Sequence, residues 1–168
     1  NNHWPVQLYV RESRRMRSDY VVTEHDCQRR VITDKGIALG SYAMDSHNTQ
    51  YFVNKDGFAN TEGGYFWRLD KAYPIDYRAI IPKKGECSNL LVTVCVSVTH
   101  AAYGSIRQEP CYMMIGHAAG AAASLAIDKR VSVQDVDYNL LKDKLLKEGQ
   151  MLVDLDDSKF SGNQREGN

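Results

Sequence analysis

The apolar and polar positions between residues 35 and 88 alternate in short runs, and Gly, Asn and Asp interrupt these runs. Alternation with a period of two predicts strands that bury one face. The pairs Asp56-Gly57 and Gly63-Gly64 lie between the runs and are signals for tight turns. An antiparallel sheet is therefore expected in this region. Its predicted strands are residues 37–44, 51–53, 65–69 and 77–81.

A second pattern begins at residues 90–98, which are nearly all apolar and rich in β-branched side chains. Such a run predicts a core strand that is covered on both faces. Residues 99–105 are rich in turn-forming residues, and residues 111–127 are an Ala-rich apolar run that predicts a buried helix. The expected order is therefore strand, loop and helix.

The start of this helix can be placed in two ways. Either Ser105 opens a capping box that ends at Gln108, or Pro110 takes the first helical position with Glu109 as the cap. Both placements leave free backbone amides just before the helix. The positive end of a helix dipole stabilises a phosphate or another anion at such a position.

Three further segments have helical patterns. Residues 6–17 place three arginines on one face, which suits either phosphate binding or a solvated surface. Residues 23–26 have the polar spacing of a capping box that opens a short helix. Residues 137–149 begin with a good N-cap, carry a stripe of four leucines and end at a glycine. The three arginines are Arg11, Arg14 and Arg15, and the four leucines are Leu140, Leu141, Leu145 and Leu146.

Composition limits the classes of partner. The chain has 168 residues, enough for one domain or a large part of one, and its 21 basic and 21 acidic side chains cancel. Balanced charge disfavours nucleic acids and anionic membranes as partners. The four cysteines lack disulfide or metal-ligand spacing, so we expect free thiols. Residues 111–127 are too short and too interrupted for a membrane span, and the first residues lack the layout of a signal peptide, which leaves the compartment open.

Few residues form a pattern with chemical meaning. Asp45 and His47 are two positions apart, so in an extended segment both side chains leave the same face and the acid could orient the imidazole. His100 follows the predicted core strand, at the edge where α/β sheets place ligands. No His or Cys pair has the spacing of a metal site, and the GxGxxG dinucleotide motif is absent. The histidines are therefore the main candidates for chemistry.

Four stretches of the chain follow a known pattern. They read YVRESRRMRSDYVVTEHDC, IALGSYAMDSH, YPIDYRAIIPKKGECSNLLVTVCVSVTHAAYGSIRQEP and MMIGHAAGAAASLA. Together they resemble the C-terminal part of FAD-dependent oxidoreductases related to the glutathione-reductase-type flavoproteins. The resemblance spans roughly residues 8 to 153 and is most specific around residues 97–110.

The resemblance implies an α+β fold that is part of a larger flavoprotein. In this family an N-terminal Rossmann unit holds the adenosine diphosphate of FAD, and the C-terminal part returns a strand and a helix to the flavin. That N-terminal half is missing here and would be a partner of this chain. The implied division is a helical connector (1–34), an antiparallel substrate-covering region (35–88), a flavin-contacting strand, loop and helix (89–130), a C-terminal helix region (131–153) and a polar tail (154–168).

The implied function is hydride transfer from a small organic substrate to N5 of FAD. His47 or His100 would take the accompanying proton, and the amides before the Ala-rich helix would face N1 and O2 of the flavin. FAD is not expected to bind tightly to this chain alone. The candidate catalytic residues are Asp45, His47, Arg78 and His100, and the candidate cofactor-binding residues are Gly104, Ser105, Ile106, Arg107, Gln108 and Glu109.

Two other functions remain open. The aromatic-rich sheet suits a non-catalytic interaction module. A polysaccharide lyase would use Tyr, His and Arg together for β-elimination on an acidic sugar. The two sets that fit this chemistry are Tyr42, His47 and Arg78, and Tyr103, His100 and Arg107. A surface uncovered by the missing half would also allow self-association through the Ala-rich helix.

Overall fold

The computed structural model describes residues 3, 4, 6 and 12–152. In these residues the chain forms small antiparallel sheets and α-helices, which confirms the expected α+β class. The strands are β1 (Gly36–Gly40), β2 (Met44–Ser46), β3 (Gln50–Val53), β4 (Ala59–Glu62), β5 (Tyr65–Trp67) and β6 (Tyr73–Asp76). The helices are α1 (Glu24–Cys27), α2 (His100–Ile106), α3 (Glu109–Lys129) and α4 (Tyr138–Lys147), with 3-10 turns at Tyr77–Ile80 and Val133–Asp135.

The strands follow one another as a single long hairpin. β1 pairs with β6, β2 with β5 and β3 with β4, and every pair is antiparallel. The chain turns back at Gly57, whose φ of 84° is a left-handed conformation that glycine adopts without steric cost. The antiparallel prediction is therefore confirmed, but as three short ladders in succession.

Burial falls from the base of this hairpin to its tip. All residues of β1 and β6 are buried, whereas all residues of β3 and β4 are exposed. The sequence prediction missed β4 because its residues, Ala-Asn-Thr-Glu, carry no apolar alternation. The tip is thus held by its backbone ladder, and the base is held by the core.

Helix α3 covers the base of the hairpin. It packs on β1 and on α4, and its buried face is largely alanine. Ala118 and Ala122 are fully buried, and such small side chains allow the helix backbone to approach the sheet closely. The prediction of a buried Ala-rich helix is confirmed. By length and composition alone α3 could also cross a membrane, but a core helix of a soluble protein passes the same test, so this is weak evidence.

Two predicted helix starts are confirmed. Thr23 and Asp26 form a capping box at the start of α1, in which each side chain bonds the backbone of the other. The Asp137 side chain accepts a hydrogen bond from the backbone at the start of α4. In the predicted leucine stripe, Leu141 and Leu145 are fully buried.

The predicted strand at residues 77–81 is wrong. β6 ends at Asp76, and Tyr77–Ile80 form a 3-10 turn that the Asp76 side chain caps by accepting a hydrogen bond from the Arg78 amide. The apolar residues are buried as expected, with Ala79 and Ile80 fully buried. The Asp76 carboxylate accepts from the Arg78 amide, which in a strand would donate to a neighbouring strand. This side-chain cap therefore favours the 3-10 turn over an extended backbone.

The predicted core strand at residues 90–98 is also wrong. This segment is irregular, and Val94 and Cys95 are exposed. On one side it makes single backbone bonds, from Val92 to the carbonyl of Ile80 and from Ser97 to the carbonyl of Ala79, each 2.8 Å. On the other side the carbonyls of Cys95 and Ser97 accept from the segment before α1. The adjacent segment, Tyr77–Ile80, is a 3-10 turn, so it does not present the regular row of donors and acceptors that a β-ladder needs.

The loop predicted at residues 99–105 is instead helix α2, with Thr99 as its N-cap. Gly104 suggested a turn in the sequence, but in the structure it allows the backbone of α2 to lie close to the backbone of Asp45. A Cβ at this position would lie 2.5 Å from the carbonyl oxygen of Asp45. Helix α3 then begins at Glu109 with Gln108 as the cap. Pro110 is therefore in the first turn, as the second placement required, with the cap one residue earlier.

The predicted helix at residues 6–17 is not seen where the structure describes it. Residues 12–17 have no helical conformation. Residues 7–11, which include Arg11, lie outside the described residues, as does the predicted tail at 154–168. The basic residues Arg14 and Arg15 therefore lie on an irregular segment that leads to Val22, whose backbone meets that of Val98 in an isolated parallel bridge.

Candidate functional site

An open cleft of about 690 Å³ lies where three segments meet. The irregular segment before α1 contributes Glu12, Ser13 and Arg15, the end of β2 and the following loop contribute residues 45–49, and α2 with its C-cap contributes His100 and Arg107. The cleft therefore joins three of the four candidate catalytic residues with one candidate cofactor residue.

Contacts between β2 and α2 fix the walls of the cleft. Gly104 allows the α2 backbone to lie directly against the backbone of Asp45. At the next position of the helix, the buried Ser105 hydroxyl donates to the carbonyl of Tyr42 over 2.5 Å and accepts from the hydroxyl of Tyr73 over 2.8 Å. The backbone of α2 is thus joined to both arms of the hairpin.

His100 is held at both ring nitrogens. Its Nδ1 lies 2.6 Å from Oε2 of Glu12, and its Nε2 lies 3.0 Å from Oγ of Ser46. An ionised carboxylate only accepts hydrogen bonds, so Nδ1 carries a proton, and when the ring is neutral Nε2 accepts from the Ser46 hydroxyl. The ring of Tyr65 lies edge-on at 6.1 Å, and burial raises the pKa of Tyr65. The partners therefore assign the tautomer of His100 and leave its basic nitrogen toward the cleft residue Ser46.

Asp45 pairs with Arg107 more closely than with His47. Nη2 of Arg107 lies 3.2 Å from Oδ2 of Asp45 and 3.4 Å from its carbonyl oxygen. Nε2 of His47 lies 3.9 Å from the same carboxylate, which is too long for a hydrogen bond, and half of the His47 side chain is exposed. The two residues lie together as the sequence predicted, but Asp45 does not hold the His47 ring.

The second arginine of the cleft is also paired. Arg15 forms an ion pair with Glu12, and its guanidinium lies 5.8 Å from the centre of the Tyr103 ring. The Tyr103 oxygen accepts from the hydroxyl of Tyr112 over 2.9 Å, and burial together with this bond raises the pKa of Tyr112. Both arginines of the cleft thus have a carboxylate partner within it.

The start of α3 lies next to Arg107. Its cap, Gln108, makes no side-chain hydrogen bond to the first turn, and Glu109 and Pro110 are exposed. The first amides of an α-helix have no partner within the helix. An uncapped, exposed helix start beside an arginine is suited to a group that accepts hydrogen bonds and carries negative charge.

Comparison with known proteins identifies the family. The family model for FAD dependent oxidoreductases matches residues 1–145. The chain belongs to the FAD-dependent oxidoreductase family. Neither the curated proteins nor the solved structures contain a match. FAD is thus the cofactor of the family to which this chain belongs.

The structure divides the six candidate cofactor residues of this oxidoreductase family member into two groups. Gly104, Ser105 and Ile106 are buried within α2, and the Ser105 hydroxyl has both of its partners inside the core. The amides predicted to be free at Gly104 and Ser105 therefore belong to a helix. Of the other three, Arg107 and Gln108 link α2 to α3 and are partly exposed, and Glu109 is the exposed first residue of α3.

Arg78 does not line the cleft of this family member. Its guanidinium binds the buried carboxylate of Asp76 through two hydrogen bonds of 2.9 and 2.6 Å and lies 4.4 Å from the centre of the Tyr20 ring. The hydrogen bonds to Asp76 raise the pKa of Arg78. The lyase set that includes Tyr42 and His47 is therefore not brought together, because its arginine lies elsewhere.

Sequence reasoning missed the two hydrogen-bond partners of His100, Glu12 and Ser46. Glu12 is 88 positions from His100, so no local spacing relates them. Ser46 lies between Asp45 and His47, and this position next to two candidates was the only available signal. Among the residues that the structure describes, no group of three or more His, Cys, Asp or Glu side chains could hold a metal ion.

Proposed function

We propose that this chain supplies the substrate face and the flavin-facing helix start of an FAD-dependent oxidoreductase that oxidises a small organic substrate. One observation carries the proposal. The cleft brings His100, whose Nε2 lies 3.0 Å from the Ser46 hydroxyl, to the same site as Arg107, which precedes the uncapped start of α3. The reaction needs a group that accepts the substrate proton and a group that stabilises the negative charge of the reduced flavin. His100 and the start of α3 would supply these two groups.

The residues that fit the cofactor are Arg107, Gln108 and Glu109. They lie at the positive end of α3, and the guanidinium of Arg107, which is paired with Asp45, lies beside it. When bound, FAD supplies the acceptor for a hydride. The Arg107 guanidinium and the backbone amides of Gln108 and Glu109 would stabilise the negative charge that the ring system gains.

His100 takes the proton in this proposal. When a carbon that bears a hydroxyl is oxidised, a hydride leaves from its C–H bond and a proton leaves from its O–H bond. Nε2 is the nitrogen of His100 that accepts this proton, because Nδ1 is bonded to Glu12. Glu12 holds the ring and stabilises the imidazolium that forms, since its carboxylate remains bonded to Nδ1. His47, half exposed and 3.9 Å from Asp45, is left to contact substrate.

The residues that hold the adenosine diphosphate of FAD lie outside this chain in the proposal. The chain alone is then expected to bind FAD weakly, because the contacts at the start of α3 reach only part of the cofactor. Its natural partner is the remaining half of the same flavoprotein.

The test is a visible absorbance spectrum of the full-length gene product, purified without added cofactor, together with an FAD titration of the 168-residue chain. Flavin bands in the full-length protein and weak or no uptake by the chain support the proposal. A full-length protein that is colourless and does not take up FAD overturns it.

A matched pair of variants tests the helix start. Arg107→Ala in the full-length protein is expected to weaken FAD binding or shift the flavin spectrum. Lys129→Ala, which removes a cation at the opposite end of α3, is the control and should leave both unchanged. Equal effects of the two substitutions would remove Arg107 from the proposed cofactor site.

A further inference from the structure

All ten residues that line the cleft carry polar side chains. Sites for drug-like ligands are lined mainly by apolar and aromatic side chains, with a few polar groups that fix orientation. Such a lining offers hydrogen-bonding groups from all three segments of the cleft, which suits a ligand that forms several hydrogen bonds. Hydroxyl and amide groups such as those of Ser46, Asn48 and Thr49 both donate and accept, as does an alcohol.

The formal charges of the cleft are satisfied within it. Arg107 lies 3.2 Å from the carboxylate of Asp45, and Arg15 forms an ion pair with Glu12. The Arg107 and Asp45 side chains are only 14% and 20% exposed, so a charged ligand would have to displace a partly buried partner. This arrangement favours a neutral ligand over a carboxylate.

His100 favours a ligand that carries a hydroxyl group. Its Nδ1 donates to Glu12, and its Nε2 accepts from the Ser46 hydroxyl. A second hydroxyl that enters the cleft can donate to Nε2 in place of Ser46, or donate to Oγ of Ser46 while Ser46 donates to Nε2. Either way a hydroxyl of the ligand is connected to the basic nitrogen.

We infer that the cleft binds a neutral polyhydroxylated compound, a sugar or a polyol, and that Glu12 and Ser46 position His100 to accept the proton of one ligand hydroxyl. The ligand class is a property of this chain alone, while the oxidation rests on the proposed function. In that step the C–H bond breaks and its electron pair leaves with the hydrogen as a hydride to FAD. The O–H proton passes to Nε2 of His100, and the C–O bond becomes a carbonyl.

The first test measures ligand binding to the 168-residue chain by saturation-transfer NMR. The probes are five neutral compounds (glucose, galactose, mannose, xylose and myo-inositol), the charged sugar glucuronate and the apolar alcohol cyclohexanol. At least one neutral compound should bind about tenfold more tightly than glucuronate and cyclohexanol, a difference of one decade in the dissociation constant. Binding of glucuronate or cyclohexanol at least as tight as that of the neutral compounds, or no binding by the neutral compounds, overturns the inference.

The second test reverses the charge preference. Asp45→Asn leaves Arg107 without its carboxylate partner, so glucuronate should gain about tenfold in affinity relative to the neutral sugar. Asp70→Asn, a substitution of an exposed acid outside the cleft, is the control. An unchanged preference in Asp45→Asn would contradict the charge argument.

The third test concerns Glu12 as a positioning residue. The ¹⁵N chemical shifts of the His100 ring report which nitrogen carries the proton, and the Nδ1–H form should dominate in the parent chain. Glu12→Ala should lose this dominance, whereas Glu12→Gln should retain much of it because the amide oxygen still accepts. If the His100 tautomer does not change in Glu12→Ala, Glu12 does not position the ring. If Glu12→Gln loses the Nδ1–H form as fully as Glu12→Ala does, the effect is structural and the positioning role is overturned.

The two proposals fail separately. A full-length protein that binds no FAD while the chain binds neutral sugars would end the oxidoreductase proposal and keep the ligand class. A full-length protein that carries flavin while its cleft prefers glucuronate or cyclohexanol would keep the proposed function and end this inference.

Discussion

His100 and Glu12 form a hydrogen bond of 2.6 Å across 88 positions of sequence, and this bond assigns the proton of the imidazole to Nδ1. The other histidine of the cleft, His47, has no bond of comparable length to a carboxylate among the contacts of the described residues. The structure therefore separates two histidines that the sequence left equivalent.

This difference predicts unequal effects of substitution. His100→Asn in the full-length protein should slow flavin reduction by a substrate by about 100-fold, in the range of a lost general base. His47→Asn should slow it by less than about tenfold, since His47 would lose only a ligand contact. Anaerobic reduction of the flavin, followed by absorbance, measures both rates. The reverse order of effects would assign the base to His47.

Gly104 predicts a steric effect at the wall of the cleft. A Cβ at this position would meet the carbonyl oxygen and the amide nitrogen of Asp45 at 2.5 and 2.8 Å, and backbone atoms cannot move aside cheaply. Gly104→Ala should lower the free energy of unfolding by about 2 kcal/mol. Urea denaturation measures this change.

Gly116 provides the matched control on α3. A Cβ there would meet nothing within 4 Å, so Gly116→Ala should raise the free energy of unfolding by up to about 1 kcal/mol through helix propensity. Similar effects of the two substitutions would contradict the close contact between α2 and β2.

Arg78 is predicted to stabilise the fold without acting in the cleft. It binds the carboxylate of Asp76, whose side chain is fully buried. Arg78→Ala should cost about 2 kcal/mol of unfolding free energy, because that carboxylate then loses its charged partner and keeps only its neutral donors. Thermal and urea denaturation measure the loss. Unchanged sugar binding by the folded variant is expected, and a selective loss of binding in a stable variant would return Arg78 to the site.

The buried thiol of Cys27 predicts a stability that falls at alkaline pH. Burial raises the pKa of this thiol from 9.0 to about 12, so the folded state favours the protonated form. The contribution is fully present below the unfolded pKa of about 9 and is lost as the pH rises from there toward about 12. Cys111, with a pKa raised by burial to about 11, acts in the same direction.

The measurement is the urea midpoint between about pH 8 and about pH 9.5, in the presence of a reductant. The midpoint of the parent chain should fall over this interval, and the fall should be smaller for Cys27→Ala. Cys95→Ala, at an exposed position, is the control and should follow the parent. A parent midpoint that rises with pH would contradict the direction of the linkage.

Local patterns identified the elements whose signals are contained in a few neighbouring residues. The capping box at Thr23, the cap at Asp137 and the alanine-rich α3 all form as expected. Caps and helix faces involve residues three or four positions apart, so the sequence displays their partners directly. The antiparallel character of residues 36–76 was also visible, because the turn at Gly57 and the alternation next to it are local.

The failures occurred where a distant partner decides the conformation. Residues 90–98 have the composition of a core strand, but the chain beside them coils at Tyr77–Ile80 and cannot extend a ladder. Helix α2 contains a glycine that favours a turn in isolation, and it forms because Gly104 packs against Asp45. Composition measures how readily a segment buries itself, but it does not show which backbone groups will be available to pair with it.

The sequence by itself determined the α+β class, the family and the candidates Asp45, His47 and His100, since these depend on composition, periodicity and residue identity along the chain. Only the tertiary structure decided that His100 rather than His47 is held by a carboxylate, that Asp45 belongs to Arg107, and that Arg78 serves the core. Each of these outcomes depends on an ångström-scale distance between side chains that lie on separate segments or compete for one partner. Such distances are set by how the hairpin, α2 and the segment before α1 pack together, and no spacing along the chain contains them.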